Sequence, residues 1–221
     1  LPGAPRCPVQ PDVPVLSAEG VSKEIDGTVL LAPTTLMARP GTATVLRGPN
    51  GSGKTTLLRI LAGRTDPTSG TATLDGATVD ERKPAVRASI AALLGTPAAY
   101  PDLTLRDHLT LVDASWGGDT DSCEDRVAAM LESLTIGHLD ERFPHELSSG
   151  QSQLFQLALV LFRPSQVLLL DEPEQRLDTD KRVIVADLLA ARRDRGDTLV
   201  LACHDPLMTD ALADQVIDLE G

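Results

Sequence analysis

Eight consecutive residues, 48–55, constrain this chain more than any other feature of its sequence. They fit G-x-x-x-x-G-K-[ST] without a mismatch. In this pattern, glycines let the backbone wrap a phosphate chain and the following helix adds its positive N-terminal end. An apolar β-rich run over residues 42–47 precedes the pattern, and leucines at helical spacing follow it over 54–62. The sequence therefore predicts a phosphate-binding loop between a strand and a helix of an α/β fold.

The residue types in this loop predict ATP and Mg²⁺ as ligands. The Lys54 ammonium is expected to reach the β- and γ-phosphates, and the Thr55 hydroxyl is expected to bind Mg²⁺. The residues predicted to contact the nucleotide are Gly48, Pro49, Asn50, Gly51, Ser52, Gly53, Lys54, Thr55 and Thr56. Because small-molecule kinases, GTPases and motor ATPases all carry such a loop, the loop alone does not give the function.

Composition narrows the class of protein. Apolar residues make up 42 % of the chain and aromatic residues only 2 %, so the core must consist of Leu, Val, Ile and Ala, which suits a sheet buried on both faces. The formal net charge is −12 and no basic stripe is visible, so we expect no nucleic-acid partner. The three cysteines are widely spaced, which favours a reducing compartment over a disulfide framework or metal cluster. No apolar run reaches the length of about 18 residues that a membrane span needs.

The remaining patterns predict alternating strands and helices. Prolines at every third position over residues 1–14 predict an extended tail. A helical pattern dominates residues 104–142 and is interpreted as a lobe inserted into a mostly parallel α/β core. Further strands are predicted at 28–31, 42–47, 70–75, 89–94, 167–170, 198–202 and 216–219, and further helices at 54–62, 151–162 and 181–195.

Two carboxylates follow the apolar run at residues 167–170. In open parallel sheets, ligands bind beyond the carboxyl ends of the strands, so Asp171 and Glu172 are expected near the phosphates. We predict that Asp171 binds Mg²⁺ and that Glu172 orients or deprotonates the attacking water. Taken without the phosphate loop, the same residues would also suit a core strand followed by a polar turn.

A second short motif, Leu-Ser-Ser-Gly-Gln at residues 147–151, precedes a helical stretch and carries a good N-cap residue in Ser148. This segment resembles the L-S-G-G-Q signature of the ATP-binding subunits of ABC transporters. The phosphate loop, the signature, Asp171-Glu172 and the later His204 also occur in that family's order and spacing. The resemblance runs from about residue 15 to the end, and kinases with a phosphate loop lack the signature.

The resemblance implies an ABC-type ATPase domain over residues 15–221. Its phosphate-loop core and antiparallel β-subdomain would occupy 15–95 and 163–221, and its helical lobe about 96–162.

The resemblance also implies a head-to-tail dimer, either a homodimer or a heterodimer, with two ATP molecules between the subunits. Ser148 and Gly150, together with Gln151, would contact the γ-phosphate of the neighbour's ATP. Asp178 would lie at the dimer seam and His204 would contact the γ-phosphate. With Lys54 and Glu172, His204 completes the implied catalytic set.

The sequence departs from the family pattern at several positions. Ile25 stands near the place of the aromatic ring that usually stacks on adenine. Gly95 or Thr96 occupies the place of a usual glutamine that helps to bind Mg²⁺ and contacts the membrane partner, so we expect weaker Mg²⁺ binding and altered coupling. Gln175 and Arg176 replace small residues of the loop near the dimer seam. These changes fit either a divergent transporter branch or one half of a heterodimer with unequal ATP sites.

The resulting prediction is the ATPase subunit of a transporter, coupled to a separate transmembrane permease that docks near residues 95–107. Export is the expected direction. The expected location is the cytoplasm, peripheral on the inner face of the cell membrane through the partner. Two alternatives stay open: a soluble ABC-type ATPase outside transport, or the weakly active half of a heterodimeric pair. A small-molecule kinase is disfavoured by residues 147–151.

Overall fold

The computed structural model of the protein describes residues 16–95 and 99–220. The proline-rich tail predicted for residues 1–14, Cys7 and Thr96 lie outside the described residues. The strands are β1 (Leu16–Ile25), β2 (Thr28–Ala38), β3 (Ala43–Arg47), β4 (Ser69–Leu74), β5 (Ala77–Thr78), β6 (Ile90–Leu93), β7 (Val167–Asp171), β8 (Thr198–Ala202) and β9 (Gln215–Asp218). The helices are α1 (Lys54–Leu61), α2 (Pro84–Ser89), α3 (Leu105–Ser115), α4 (Cys123–Ser133), α5 (Ser149–Phe162), α6 (Thr179–Asp194) and α7 (Pro206–Leu212).

The strands form two sheets, which confirms the predicted fold class. The larger sheet is parallel, with the order β6-β7-β8-β3-β9. The smaller sheet is antiparallel, with the order β2-β1-β4-β5. Because β3 lies inside the parallel sheet, the loop that follows it is placed at the carboxyl edge, where ligands of such sheets bind.

Alternating side chains of β7 divide the core in two. Leu168 and Leu170 pack with helices α3–α7 on one face of the parallel sheet. Val167 and Leu169 pack on the other face with α1 and the antiparallel sheet. Since successive residues of a strand point to opposite faces, the unbroken apolar run of β7 is explained by burial on both sides.

Helix α1 joins the two sheets. Its residues Leu57, Leu58, Ile60 and Leu61 are buried against both the antiparallel sheet and the parallel sheet. Each such side chain contributes about 1.5–3 kcal/mol when it is removed from water. This burial fixes the N-terminal end of α1, and with it the phosphate loop, relative to the central strands.

Helices α3, α4 and α5 stand between β6 and β7 in the chain and form the helical lobe. Thr104 and Asp107 close a capping box at the start of α3, and Ser148 and Gln151 close another at the start of α5. Each box satisfies backbone N–H groups that a helix start leaves free. Local sequence therefore sets where both helices begin.

Four elements, β1, β5, α2 and α7, are not anticipated by the sequence patterns, and β5 has only two residues. Strand β1 is interrupted at Gly20, which has a φ of +58° and lies within an irregular stretch of the pairing, so strict alternation is lost. Helices α2 and α7 are too short for a clear helical period. The strand expected from residue 89 begins at Ile90 because α2 runs to Ser89.

In the described part of the chain, no helix combines the length and the apolar character that crossing a membrane requires. Cys123 and Cys203 are free thiols. Burial, followed by the nearby Glu174 carboxylate, raises the pKa of Cys203 to about 12, so this thiol acts as a core residue.

A buried ion pair ties α6 to its neighbours and gives a stability prediction. Arg192 Nε donates to Asp197 Oδ2 at 2.5 Å, and its other nitrogens donate to Leu161 O and Ser165 Oγ. The two charged side chains are only 12 % and 7 % exposed. Arg192→Met is therefore expected to lower the free energy of unfolding by about 3 kcal/mol, because it leaves the buried Asp197 carboxylate with only the exposed Arg195, 4.0 Å away, as an ionic partner.

Urea unfolding of the wild type and of Arg192→Met measures this change. Arg82→Met is the matched control, since Arg82 pairs with Asp80 on the surface and is 84 % exposed. The control is expected to unfold as the wild type does. An equal loss of stability in both variants would contradict the role of burial.

Candidate functional site

The phosphate loop follows β3 and ends at α1, as its pattern requires. Gly48 has a φ of +144°, and a Cβ there would lie 2.5 Å from Leu219 O. Gly53 has a φ of +95°, and a Cβ there would lie 2.6 Å from Leu30 O. Both positions therefore require glycine, for backbone conformation and for space.

The Lys54 side chain is hydrogen-bonded to the backbone of the loop. Its Nζ donates to Gly48 O at 2.8 Å and to Pro49 O at 2.9 Å, and the residue is only 7 % exposed. The ammonium is thus held inside the loop, where neutral carbonyl oxygens accept its hydrogen bonds. An anionic phosphate would be a stronger acceptor for the same donor.

Two observations show that the loop fits a nucleotide phosphate. Ser52 Oγ is buried and has no hydrogen-bond partner among the described residues. The loop also borders a cavity of about 310 Å³. The residues that line this cavity are Leu30, Asn50, Gly51, Gly53, Lys54, Thr55, Thr56 and Glu172.

The predicted Mg²⁺ ligands come together at the mouth of the loop. Thr55 Oγ1, in the first turn of α1, donates to Asp171 Oδ2 at the end of β7 at 2.6 Å. The two residues are 116 positions apart in the chain. A hydroxyl and a carboxylate at this separation form part of the oxygen ligand set that Mg²⁺ prefers.

The predicted general base and the predicted histidine also meet. Glu172 Oε1 lies 3.5 Å from His204 Nε2. Glu172 has a φ of +49°, and its N–H donates to Ala202 O at the end of β8. The His204 N–H donates to Glu174 Oε1 at 2.7 Å. Residues from the ends of two neighbouring strands therefore place a carboxylate and an imidazole side by side.

The signature segment lies at the start of α5. Ser148 Oγ accepts a hydrogen bond from the Gln151 N–H, and Gln151 Oε1 accepts one from the Ser148 N–H. A Cβ on Gly150 would lie 3.0 Å from Arg176 O, in the loop after β7. None of Ser148, Gly150 and Gln151 lines the 310 Å³ cavity. Within one chain, this segment is thus separate from the phosphate loop.

The remaining predicted residues lie at the surface of the protein. Ile25 is 49 % exposed at the end of β1, and Leu30 of β2 borders the cavity instead. Asp178 is the N-cap of α6, where hydrogen bonds from Lys181 lower the pKa of its carboxyl. Gly95 has a φ of +94°, with free space where a Cβ would stand.

A larger cavity, about 610 Å³, lies elsewhere, between α3 and α4 on one side and the C-terminal ends of α5 and α6 on the other. Its lining includes Trp116 and Arg163 but no residue of the phosphate loop. Of these two cavities, the smaller one matches the prediction for a nucleotide site, because it combines the glycine-rich backbone, Lys54 and the carboxylate of Glu172.

Two buried polar residues near Glu172 are not anticipated by the sequence patterns. Gln153 Nε2 donates to Glu172 O at 3.4 Å and to Pro173 O at 3.3 Å, which links α5 to the loop after β7. Glu174 holds the backbone of His204. The sequence holds a weak signal for Gln153, because a glutamine on the apolar face of α5 is unusual. It holds no signal for Glu174, which is an ordinary carboxylate in a loop.

Comparison with known proteins points to one family. The model of a family described as "ABC transporter" matches residues 31–175. The sn-glycerol-3-phosphate import ATP-binding protein UgpC of Chromohalobacter salexigens is 33 % identical over 208 residues, which is 93 % of this chain and 56 % of that protein. The maltose/maltodextrin import ATP-binding protein MalK of Vibrio vulnificus is 34 % identical over 202 residues, which is 91 % of this chain and 52 % of that protein.

Solved structures agree on the fold. The structure titled "Structure of ATP binding subunit of ABC transporter" superimposes with a TM-score of 0.83 at 23 % identity, covering 93 % of this chain and 85 % of that one. The chain spans about half the length of the curated relatives that it matches.

Proposed function

This chain belongs to the ABC transporter family of ATP-binding proteins, and from that premise we propose that it binds ATP with Mg²⁺ and hydrolyses the ATP to drive a transporter. The observation that carries the proposal is the convergence of Lys54, Thr55 and Glu172 on one cavity, with Asp171 hydrogen-bonded to Thr55. One site therefore holds a phosphate-binding loop, a pair of Mg²⁺ ligands and a general base.

In the proposed reaction, the backbone N–H groups of the loop and the Lys54 ammonium bind the β- and γ-phosphates. Thr55 and Asp171 would hold Mg²⁺, which when bound offsets the negative charge that develops on the phosphates. Glu172 orients the attacking water and accepts its proton. His204, beside Glu172, donates a hydrogen bond toward the γ-phosphate.

We further propose that the site is completed by a second subunit in head-to-tail arrangement. The start of α5 presents Ser148 and Gly150 and the positive end of a helix, a combination suited to binding phosphate, yet these residues do not reach the chain's own nucleotide cavity. In the dimer, each signature would meet the γ-phosphate held by the other chain, and Asp178 would lie at the seam.

The proposed partner is a separate transmembrane permease that docks near residues 95–107. In this segment Tyr100 is 60 % exposed, and its N–H donates to Nε2 of the buried His108. An exposed aromatic residue on a fixed backbone suits a docking surface. The proposed location is therefore the cytoplasmic face of the membrane, through this partner.

The direction of transport is proposed to be import. The expectation of export has no support among the relatives reported above, whose names state import of sn-glycerol-3-phosphate and of maltose or maltodextrin. Vesicles that contain the permease, with this subunit and ATP enclosed inside, would test the direction. Import predicts ATP-driven uptake of substrate into these vesicles.

A complementation experiment tests the composite site. Lys54→Met disables the phosphate loop and Ser148→Arg disables the signature, so each variant alone should be inactive in Mg²⁺-dependent phosphate release. Mixed, they should recover activity, because a head-to-tail dimer of the two unlike chains contains one intact site. The recovered rate per molecule should rise with protein concentration.

Continued inactivity of the mixture beside an active wild type would refute the head-to-tail site. An inactive wild type that still binds ATP would refute a self-sufficient homodimer. It would favour the heterodimer alternative, which is one of the two interpretations that the departures at Ile25 and Gly95 fit.

A further inference from the structure

The loop between β7 and α6 holds the Glu172 side chain from both sides. Gln175 Nε2 donates to Glu172 Oε2 at 2.9 Å, while Glu172 Oε1 faces His204 Nε2. The Gln175 N–H also donates to Glu172 O at 3.1 Å, which closes a tight turn. Side chain and backbone of Gln175 therefore both return to the same residue.

The backbone of Glu172 is already fixed by other groups. Its φ of +49° lies in the left-handed region, which is strained for a non-glycine residue. This conformation is held by the hydrogen bond from the Glu172 N–H to Ala202 O and by that from Gln153 Nε2 to Glu172 O. The freedom that remains to Glu172 is rotation of its side chain, and in the described structure that side chain lies beside Gln175 and His204.

The chemistry of Gln175 suits the task of holding a base. Its amide is uncharged, so it fixes one carboxylate oxygen without supplying a competing proton or a neutralising cation. With Oε2 held, Oε1 keeps its lone pairs for the water and for His204.

We propose that Gln175 is a positioning residue for Glu172 in ATP hydrolysis. The proposal rests on the proposed function, since it needs Glu172 to act as the base. It goes beyond that function because it assigns a role to one of the residues in which this chain departs from its family.

Turnover of three variants tests the role. Gln175→Leu is expected to lower kcat roughly tenfold, because a misplaced base loses its alignment with the water, while the KM for ATP changes less than about twofold. Gln175→Asn keeps an uncharged amide donor at a shorter reach and is expected to recover part of the lost kcat. Gln215→Leu, at an exposed glutamine on β9, is the matched control and should behave as the wild type. An unchanged or increased kcat in Gln175→Leu would overturn the proposal.

A double-mutant cycle separates positioning from other effects. If Gln175 acts through Glu172, then Gln175→Leu has no further effect on the residual single-turnover rate of Glu172→Ala. A tenfold loss in both backgrounds would overturn the proposal, because it would mean that Gln175 acts elsewhere, as at a subunit contact.

The contact itself can be measured without turnover. In ¹⁵N–¹H NMR spectra of the nucleotide-free full chain, Glu172→Ala should shift the side-chain amide protons of Gln175 and leave those of Gln215 in place. An unshifted Gln175 signal overturns the proposal whether or not the chain hydrolyses ATP. A shifted signal in a chain whose wild type never hydrolyses ATP would instead refute the proposed function and leave the contact standing.

Discussion

Glu172→Gln is expected to lower the rate of ATP hydrolysis by about 10²-fold or more while leaving ATP binding intact. The amide has nearly the shape of the carboxylate, so the contacts in the loop after β7 can persist, but it cannot accept a proton from water. Because Glu172 borders the cavity without being part of the phosphate loop, the substitution leaves that loop unchanged.

Phosphate release at saturating ATP and Mg²⁺ measures the loss, and calorimetric titration measures ATP affinity. Glu81→Gln is the matched control, since Glu81 pairs with Arg64 on the surface and is not among the residues that line the 310 Å³ cavity. A rate near that of the wild type in Glu172→Gln would show that the base lies elsewhere. A parallel loss of ATP affinity would show that Glu172 contributes to binding rather than to proton transfer.

Lys54→Met is expected to weaken ATP binding by roughly 10- to 100-fold. This loss of affinity corresponds to about 1.5–3 kcal/mol, which is the contribution of a hydrogen bond to a charged group. Without nucleotide, the ammonium already donates to Gly48 O and Pro49 O, so the substitution removes a phosphate donor and also loosens the loop. Hydrolysis should fall with binding, since the γ-phosphate loses its nearest fixed cation.

Equilibrium titration with ATP measures this effect, and the melting temperature shows whether the fold is retained. Lys23→Met is the matched control, because Lys23 Nζ likewise donates to a backbone oxygen, Asp66 O at 2.7 Å, at an exposed position. ATP affinity equal to that of the wild type in Lys54→Met would contradict the assignment of the phosphate site to this loop.

Much of the fold could be predicted because its signals are local. The glycines of the phosphate loop, the buried run of β7 and the capping residue Ser148 each act within a few positions of themselves. The parallel sheet followed from the alternation of strands and helices. Strand β1 was not predicted because the irregularity at Gly20 breaks its period. Helices α2 and α7 were not predicted because each is too short to show a helical period.

The sequence by itself determined the phosphate loop, the two carboxylates after β7 and the family signature, because close spacing fixes each motif wherever the chain folds. Only the tertiary structure decided that Thr55 meets Asp171, that His204 meets Glu172, and that Gln175 and Glu174 hold this pair. Gln175 lies only three positions from Glu172, so that contact is local. The other contacts depend on the order of the strands in the sheet. That order is set by burial of apolar surface over the whole sheet, and it leaves no mark in the spacing of the residues that it brings together.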